Sequence, residues 1–140
     1  MTSFLEQIEP FRSLGFSLDA ADAEQVVMSV PLAGNLNDKG TMFGGSVYSA
    51  MVLAGWTLCI EQGRAAGATG DIVVKDSSIA FLRPVAGRLT VTATGKTPPA
   101  RTPRGNLAFT IEVVATDETG QRCAEFEGSY RLLGESKADA

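Results

Sequence analysis

The pattern of apolar and polar residues is dominated by one stretch, residues 40–60, which carries no charged side chain. It opens with a glycine-rich turn and continues as an almost unbroken apolar run over residues 47–60. Such a run is either a membrane span or a helix buried on nearly every side. Because the apolar part is short for a bilayer and no basic cluster flanks it, the pattern predicts a central buried helix over residues 43–64.

Alternating apolar residues before and after this helix predict strands. The predicted strands cover residues 24–32, 71–82, 89–94, 107–115 and 124–132. A short helix is expected over residues 3–12, because Ser3 and Glu6 fit a capping box and apolar residues follow at helical spacing.

The order of elements is helix, strand, long buried helix and then four strands joined mainly by short turns, which favours antiparallel pairing. An antiparallel curved sheet wrapped around one long apolar helix is the α+β arrangement called the hotdog fold. We expect a single hotdog domain over residues 1–140, in which residues 134–140 form a frayed polar tail.

Composition excludes several classes of function. The chain of 140 residues has a net charge of -4, which offers no basic footprint for nucleic acid. It contains no histidine, which excludes histidine bases, Ser-His-Asp and Cys-His nucleophiles and histidine metal sites. Cys59 and Cys123 lack metal-site spacing and are expected to be buried, reduced thiols. With no export signal or membrane span recognised, a cytoplasmic protein is expected.

The turn before the central helix is the candidate site. Gly44 and Gly45 lack a β-carbon, so their amides can approach a ligand closely. The first amides of a helix have no intrahelical partner and carry the positive end of the helix dipole. They could stabilise a carbonyl oxygen as it becomes an oxyanion. The alternative is that the glycines only allow the helix to pack closely on the sheet.

Residues 37–46, Asn-Asp-Lys-Gly-Thr-Met-Phe-Gly-Gly-Ser, resemble the Asn-x-x-Gly-x-x-His-Gly-Gly signature of hotdog-fold acyl-CoA thioesterases. Residues 78–84 also resemble the strand that enters this family's proline turn, and the resemblance spans residues 24–133. The chain is more similar to a thioesterase branch, also found fused behind acetyltransferase domains, whose turn reads Asn-x-x-Gly-Thr-x-Phe-Gly-Gly-Ser.

The resemblance implies that the Gly44 amide polarises the thioester carbonyl and that Asn37 orients a water or the substrate. Phe43 stands where the wider family has its histidine, and is expected to contact the substrate instead. The family's helix carboxylate falls near Val52. Neither replacement can transfer a proton. The resemblance also implies a homodimer or a dimer of dimers, with coenzyme A only as part of the substrate.

Two carboxylates are candidate bases for activating water. Asp38 lies beside the glycine turn, and Asp76 lies in a strand expected to pass the helix start, either of the same subunit or across a dimer interface. The alternative for Asp38 is a turn or helix-capping residue. The alternative for Asp76 is a solvent-facing residue or a partner of Lys75 or Arg83. The apolar residues around Asp76 predict that its strand is otherwise buried.

Further candidates for substrate contact are hydroxyls and cations. Ser46, Ser49 and Thr57 share a helix stripe and could orient water or line a tunnel, although such hydroxyls more often bond back to the helix backbone. Arg101 and Arg104 lie in a predicted rigid loop, residues 96–105, and could pair with the phosphates of coenzyme A. The alternative for both arginines is a solvated loop.

Three functions follow from these features. The first is hydrolysis of an acyl-CoA or related thioester at the helix start. The second is a non-catalytic binder or sensor of acyl carriers that keeps the pocket without the base. The third is an assembly module that pairs through a sheet edge.

Overall fold

A computed structural model describes residues 2–134 of the chain. The predicted tail therefore lies, except for Gly134, outside the described residues. The elements in chain order are α1 Thr2–Glu6, α2 Glu9–Ser13, β1 Ser17–Ala21, β2 Gln25–Val30, α3 Gly44–Ala65, β3 Ile72–Phe81, β4 Leu89–Arg101, β5 Leu107–Thr116 and β6 Arg122–Leu132.

The six strands form one sheet in the order β1-β2-β4-β5-β6-β3, and every neighbouring pair is antiparallel. The sheet wraps around α3, which contacts all six strands. This is the hotdog arrangement that the alternating pattern predicted. Within residues 2–134, no helix combines the length and the apolar character that crossing a bilayer requires.

The core forms between α3 and the inner face of the sheet. Met51 and Leu58 of α3 are fully buried and belong to the same hydrophobic cluster as Phe109 and Tyr130 of the sheet. Burying a large apolar side chain stabilises the fold by about 1.5–3 kcal/mol. Tyr130 crosses the helix at Gly55, where any β-carbon would meet its hydroxyl at 2.5 Å, and it donates a hydrogen bond to the Val52 carbonyl at 2.8 Å.

The amino-terminal helix expected over residues 3–12 is instead two short helices, α1 and α2. Pro10 lies in the first turn of α2, and Ile8 before it has an extended backbone. A proline ring cannot donate to the preceding turn and clashes with it, so the first helix ends and a second begins with proline in its first turn. Strand β1 was not predicted, because its sequence Ser-Leu-Asp-Ala-Ala lacks the β-branched and aromatic residues typical of strands.

The loop predicted over residues 96–105 is also partly wrong, because β4 continues to Arg101. Its pairing with β5 shifts register between Gly95 and Thr97 and again between Thr97 and Ala100. Such bulges accommodate prolines that cannot donate to the ladder. The true turn is a tight one closed by the Thr102 amide, which donates to the Asn106 carbonyl at 2.9 Å.

Strand β3 was predicted to be mostly buried, and this is wrong for a single chain. It lies at the edge of the sheet, paired only with β6. Val73, Val74 and Phe81 are 42%, 44% and 57% exposed. An apolar sequence reveals that a strand should be covered, but not which part of the molecule covers it.

Candidate functional site

The turn that precedes α3 is built by the side chain of Asn37. Its Oδ1 accepts hydrogen bonds from the amides of Lys39 at 2.8 Å and Thr41 at 3.1 Å. Its Nδ2 donates to the Thr41 hydroxyl at 2.9 Å. Gly40 has a φ of 78°, which glycine adopts without strain. Asn37 therefore holds the loop together, although it also lines the cleft described below.

The loop is fixed to the rest of the fold just before the helix. The side-chain amide of Asn35 is buried and donates to the backbone carbonyls of Leu14 and Pro31, each at 2.9 Å. The backbone carbonyl of Asn35 accepts from the Phe43 amide at 2.8 Å, and the Met42 amide donates to the Val85 carbonyl at 2.8 Å. These bonds set the direction in which α3 begins.

The first two amides of α3 are available to a ligand. Ser46 and Val47 donate to the Phe43 carbonyl at 3.0 and 3.2 Å. Within residues 2–134, the amides of Gly44 and Gly45 have no protein acceptor, and Phe43 provides no side-chain cap. The helix dipole adds roughly half a positive charge at this point. The helix start can therefore bind an electron-rich oxygen.

A cleft of about 360 Å³ lies beside Gly44. Phe81 forms part of its wall, and the ring lies 3.4 Å from where a β-carbon on Gly44 would stand. Gly45 does not line this cleft, and the exposed ring of Phe43 covers the space next to it. Of the two glycines whose amides have no acceptor within residues 2–134, Gly44 is therefore the one that lines the cleft. The lining residues are Asn37, Thr41, Met42, Gly44, Val47, Phe81, Leu82, Arg83, Pro84, Val85 and Cys123.

The structure brings neither candidate carboxylate to this cleft within one subunit. Asp38 is 84% exposed and pairs with the ammonium of Lys39 at 3.2 Å, as a turn residue would. Asp76 is exposed on β3. The next residue, Ser77, faces α3, and successive strand residues point to opposite faces. Asp76 therefore points to the face of the sheet away from the helix.

The three helix hydroxyls do not act together. Thr57 is fully buried and donates to the Leu53 carbonyl at 2.8 Å, which is the backbone-bonded alternative considered from the sequence. Ser46 is buried within the first turn. Ser49 lines a separate small groove between α3 and the amino-terminal segment.

Arg101 and Arg104 lie far from the cleft of their own subunit. Arg101 on β4 lies opposite Leu107 on β5, and Leu107 lies opposite Leu132 on β6. The side chain of Leu132 packs at Gly63, near the carboxyl end of α3. A helix of 22 residues is roughly 33 Å long, so the cleft and these arginines lie at opposite ends of it. Arg101 donates to the Gly105 carbonyl at 3.3 Å.

The thiol that lines the cleft is not activated. Burial raises the pKa of Cys123, and the nearby Asp117 charge raises it further. Burial raises the pKa of Cys59 as well, and neither cysteine is in a disulfide. A protonated thiol is a poor nucleophile. Within the described residues, no three carboxylate or thiol side chains form a group that could hold a metal ion.

One polar pair near the helix start was not predicted from the sequence. The hydroxyl of Tyr48 and that of Ser77 are 2.6 Å apart. Tyr48 lies four residues after Gly44 on α3, and Ser77 lies four residues before Phe81 on β3. The signal available in the sequence was a polar-tipped aromatic residue in the first turns of an apolar helix. Its partner could not be identified without the tertiary structure.

Comparisons with solved structures give the same fold. A crystal structure of a thioesterase from Shewanella oneidensis, described as putative, is 27% identical, covers 94% of this chain and 93% of its own, and superposes with a TM-score of 0.82. A Pseudomonas aeruginosa protein of unknown function, described as a probable thioesterase, is 24% identical over 94% of this chain and 95% of its own, with a TM-score of 0.74.

The PaaI protein of the phenylacetic acid degradation operon of E. coli is 22% identical over 95% of this chain and 90% of its own, with a TM-score of 0.72. At this identity the likeness shows the fold alone. A family model described as "Putative thioesterase (yiiD_Cterm)" matches residues 3–134, nearly the whole chain. Because the family model matches nearly the whole chain and the fold is that of the Shewanella oneidensis structure, the chain belongs to this thioesterase family.

Proposed function

We propose that this protein hydrolyses acyl thioesters, with acyl-CoA as the substrate class. The observation that carries the proposal is that Gly44, whose amide has no acceptor within residues 2–134, lines the cleft. The thioester carbonyl would accept a hydrogen bond from this amide. Charge developing on the oxygen during attack by water would then be stabilised by the amide and the helix dipole. Losing one such donor typically costs about 2.7–4 kcal/mol of transition-state stabilisation.

The walls of the cleft suit a thioester. Phe81, Leu82 and Val85 present apolar surface to the acyl or pantetheine part of the substrate. Arg83 lies at the same cleft and carries the one charge among the described residues that line it. A cation there favours an anionic group on the carrier. Within one subunit we therefore propose Arg83, and not Arg101 or Arg104, as the residue that pairs with a phosphate of the carrier.

The experiment is thiol release from a panel of short, medium, long and aromatic acyl-CoA substrates, measured with a chromogenic thiol reagent. We expect turnover above the uncatalysed rate for at least one member of the panel. Absence of turnover for every member would remove the proposal. Because Cys59 and Cys123 are buried, a substrate-free blank should show little signal from the protein itself.

A second candidate function is binding of an acyl carrier without hydrolysis. It is favoured by one observation: among residues 2–134, no Asp or Glu lines the cleft. Calorimetry with a non-hydrolysable thioether analogue of acyl-CoA separates the two functions. Binding of the analogue together with zero turnover on the panel would select the binder.

We also propose that the protein pairs with a second copy of itself through β3. An edge strand presents unpaired amides and carbonyls, and exposed apolar residues on it would add buried area on pairing. Val74 and Phe81 supply that surface, and Leu82 directly after the strand is 49% exposed. A dimer of dimers would need a further contact. The two unpaired cysteines support a cytoplasmic location.

A further inference from the structure

Among the described residues, three side chains that contain nitrogen or oxygen line the cleft beside Gly44: Asn37, Thr41 and Arg83. Arg83 is the proposed partner of a phosphate. Asn37 and Thr41 are hydrogen-bonded to each other, and the direction of that bond is fixed by the other donors and acceptors of the loop. These directions determine which of the two residues can still bind a substrate.

The side chain of Asn37 has no hydrogen-bonding position left for a ligand. Its Oδ1 accepts from the backbone amides of Lys39 at 2.8 Å and Thr41 at 3.1 Å. A backbone amide can only donate, so these two bonds determine which end of the side chain is the oxygen. Its Nδ2 donates one proton to the Thr41 hydroxyl at 2.9 Å and the other to the Met42 carbonyl at 3.4 Å. Both protons and both carbonyl lone pairs of the side chain are therefore used within the loop.

The Thr41 hydroxyl is left with a proton to donate. Its oxygen accepts from Asn37, and its own proton has no acceptor among residues 2–134. The proton cannot point back at Nδ2 of Asn37, because that nitrogen is itself a donor. Thr41 is partly exposed and lines the cleft. Of the two residues, it is therefore the one whose side chain can donate to an oxygen of a bound molecule.

The Thr41 hydroxyl and the Gly44 amide lie some distance apart along the chain. The backbone between them is extended, since Met42 forms a strand-like bridge with Leu36 and Phe43 has an extended conformation. Three extended residues span about 10 Å. Two donors that share one oxygen must lie within about 6 Å of each other. The separation therefore favours two different oxygens of the substrate.

The polar and apolar walls of the cleft indicate where the second oxygen lies. Met42, Val47 and Val85 are buried and apolar, whereas Thr41 and Arg83 are at least partly exposed. The Met42 amide donates to the Val85 carbonyl at 2.8 Å, so the segment that carries Thr41 runs beside the segment that carries Arg83. The buried wall suits an acyl chain, and the polar wall suits the carrier.

The chemistry of an acyl-CoA supplies one acceptor on the carrier side close to the thioester. An alkyl acyl chain contains no acceptor. The pantetheine arm contains an amide two methylene groups beyond the sulfur, and its carbonyl can accept from a hydroxyl. A thioester of a simple alkyl thiol lacks this amide.

We propose that the Thr41 hydroxyl donates a hydrogen bond to this amide carbonyl of the pantetheine arm while the thioester carbonyl lies at Gly44. Asn37 positions Thr41 and does not contact the substrate. The inference rests on the proposed function, and it makes Thr41 a residue that selects pantetheine thioesters over thioesters of simple thiols.

The test uses two truncated substrates that carry the acyl group of the best acyl-CoA in the panel. The N-acetylcysteamine thioester keeps the amide, and the S-pentyl thioester replaces it with methylene groups. The measured quantity is the ratio of kcat/KM for the first substrate to kcat/KM for the second, because a general disturbance of the loop lowers both alike. We expect Thr41→Val to lower this ratio about three- to tenfold, mainly by raising KM for the amide substrate, since one neutral hydrogen bond is lost.

Two further variants serve as controls. Thr41→Ser keeps the donor and should retain the wild-type ratio within about twofold. Thr102→Val is the matched control, because the Thr102 hydroxyl also accepts a hydrogen bond within a turn, from the Asn106 amide at 3.1 Å. Thr102 follows Arg101, at the end of the fold away from the cleft. Its replacement should lower the melting temperature and leave the ratio unchanged.

The outcomes separate the inference from the proposed function. If the wild-type protein hydrolyses no member of the acyl-CoA panel, the proposed hydrolysis and this inference both fall. If it hydrolyses acyl-CoA but does not distinguish the two truncated thioesters, only the inference is overturned. A Thr41→Val variant with the wild-type ratio would also overturn it, because the hydroxyl would then only stabilise the loop.

Discussion

The phenyl ring of Phe81 lies 3.4 Å from the point at which a side chain on Gly44 would begin. One residue belongs to the start of the buried helix and the other to the exposed edge strand. The wall of the cleft is therefore part of the surface at which we propose that a second copy docks. Substitutions on the edge strand β3 should therefore alter substrate binding in the cleft, and a substrate bound in the cleft should alter pairing through β3.

Gly44→Ala should separate activity from stability. Gly44 does not have a positive φ, so alanine fits its backbone and should stabilise the fold by about 0.4–1 kcal/mol. The added methyl group would stand between the free amide and Phe81, so we expect kcat/KM to fall at least about tenfold. Thioester hydrolysis and urea unfolding measure the two effects.

Gly40→Ala provides the comparison for that variant. A β-carbon at Gly40 would meet nothing within 4 Å, but its φ of 78° disfavours alanine. This substitution should therefore destabilise the protein by roughly 1–2 kcal/mol. If Gly44→Ala kept full activity, the space between Gly44 and Phe81 would not be where the thioester carbonyl binds.

Asp38→Asn and Asp76→Asn should each leave kcat within about threefold of the wild type. Asp38 is exposed and ion-paired with Lys39, and an exposed pair of this kind contributes about 0–1 kcal/mol. Asp76 points away from the helix. A hundredfold loss of kcat at either position would instead be the size expected for removal of a general base. That result would show that the assembled protein brings the carboxylate to the cleft.

Val74→Glu should weaken self-association. Val74 is 44% exposed on the edge strand, and a buried carboxylate at a strand–strand contact would lose its hydration without a partner. We expect the wild type to be a dimer by light scattering at micromolar concentration and the variant to be mostly monomeric. Gln121→Glu adds the same charge at an exposed position after the turn between β5 and β6 and should leave the dimer intact. A monomeric wild type would contradict the pairing.

Stability should fall at alkaline pH. Burial raises the pKa values of Cys59 and Tyr130 above their ordinary values. In the unfolded chain these groups ionise near their reference pKa values of about 8.5 and about 10, while the native state keeps both protons. Their contribution is therefore complete below about pH 8.5 and decreases above it. Each group lowers the unfolding free energy by up to about 1.4 kcal/mol per pH unit.

Urea unfolding from pH 7 to pH 10 measures this loss. Cys59→Ala removes the first of the two groups, so its unfolding free energy should change less between pH 8.5 and 10 than that of the wild type. An unfolding free energy that is constant from pH 8 to pH 10 in the wild-type protein would contradict the assignment.

Elements whose signal is local were predicted well. The central helix was expected over residues 43–64 and is found at Gly44–Ala65, because a long uncharged apolar run is typical of a helix that is buried on nearly every side. Strands β5 and β6 were also close to prediction, since their alternation reports directly on a sheet with one buried face.

The errors have physical causes that the local pattern does not contain. Pro10 divides the first helix, and bulges allow β4 to continue through prolines. Both outcomes depend on which backbone hydrogen bonds form around the proline residues. The exposure of Val74 was missed because strand order decides which strand lies at the edge of a sheet.

The sequence by itself determined the hotdog architecture and the glycine turn at the start of the central helix, because periodicity and the conformational freedom of glycine are properties of neighbouring residues. Only the tertiary structure decided which chemistry surrounds that turn. In the tertiary structure Asp38 and Asp76 point away from the cleft, and Arg101 lies at the opposite end of the helix. The hydroxyl of Tyr48 is hydrogen-bonded to that of Ser77. Those relationships join residues far apart in the chain, and they follow from the order and register of the strands.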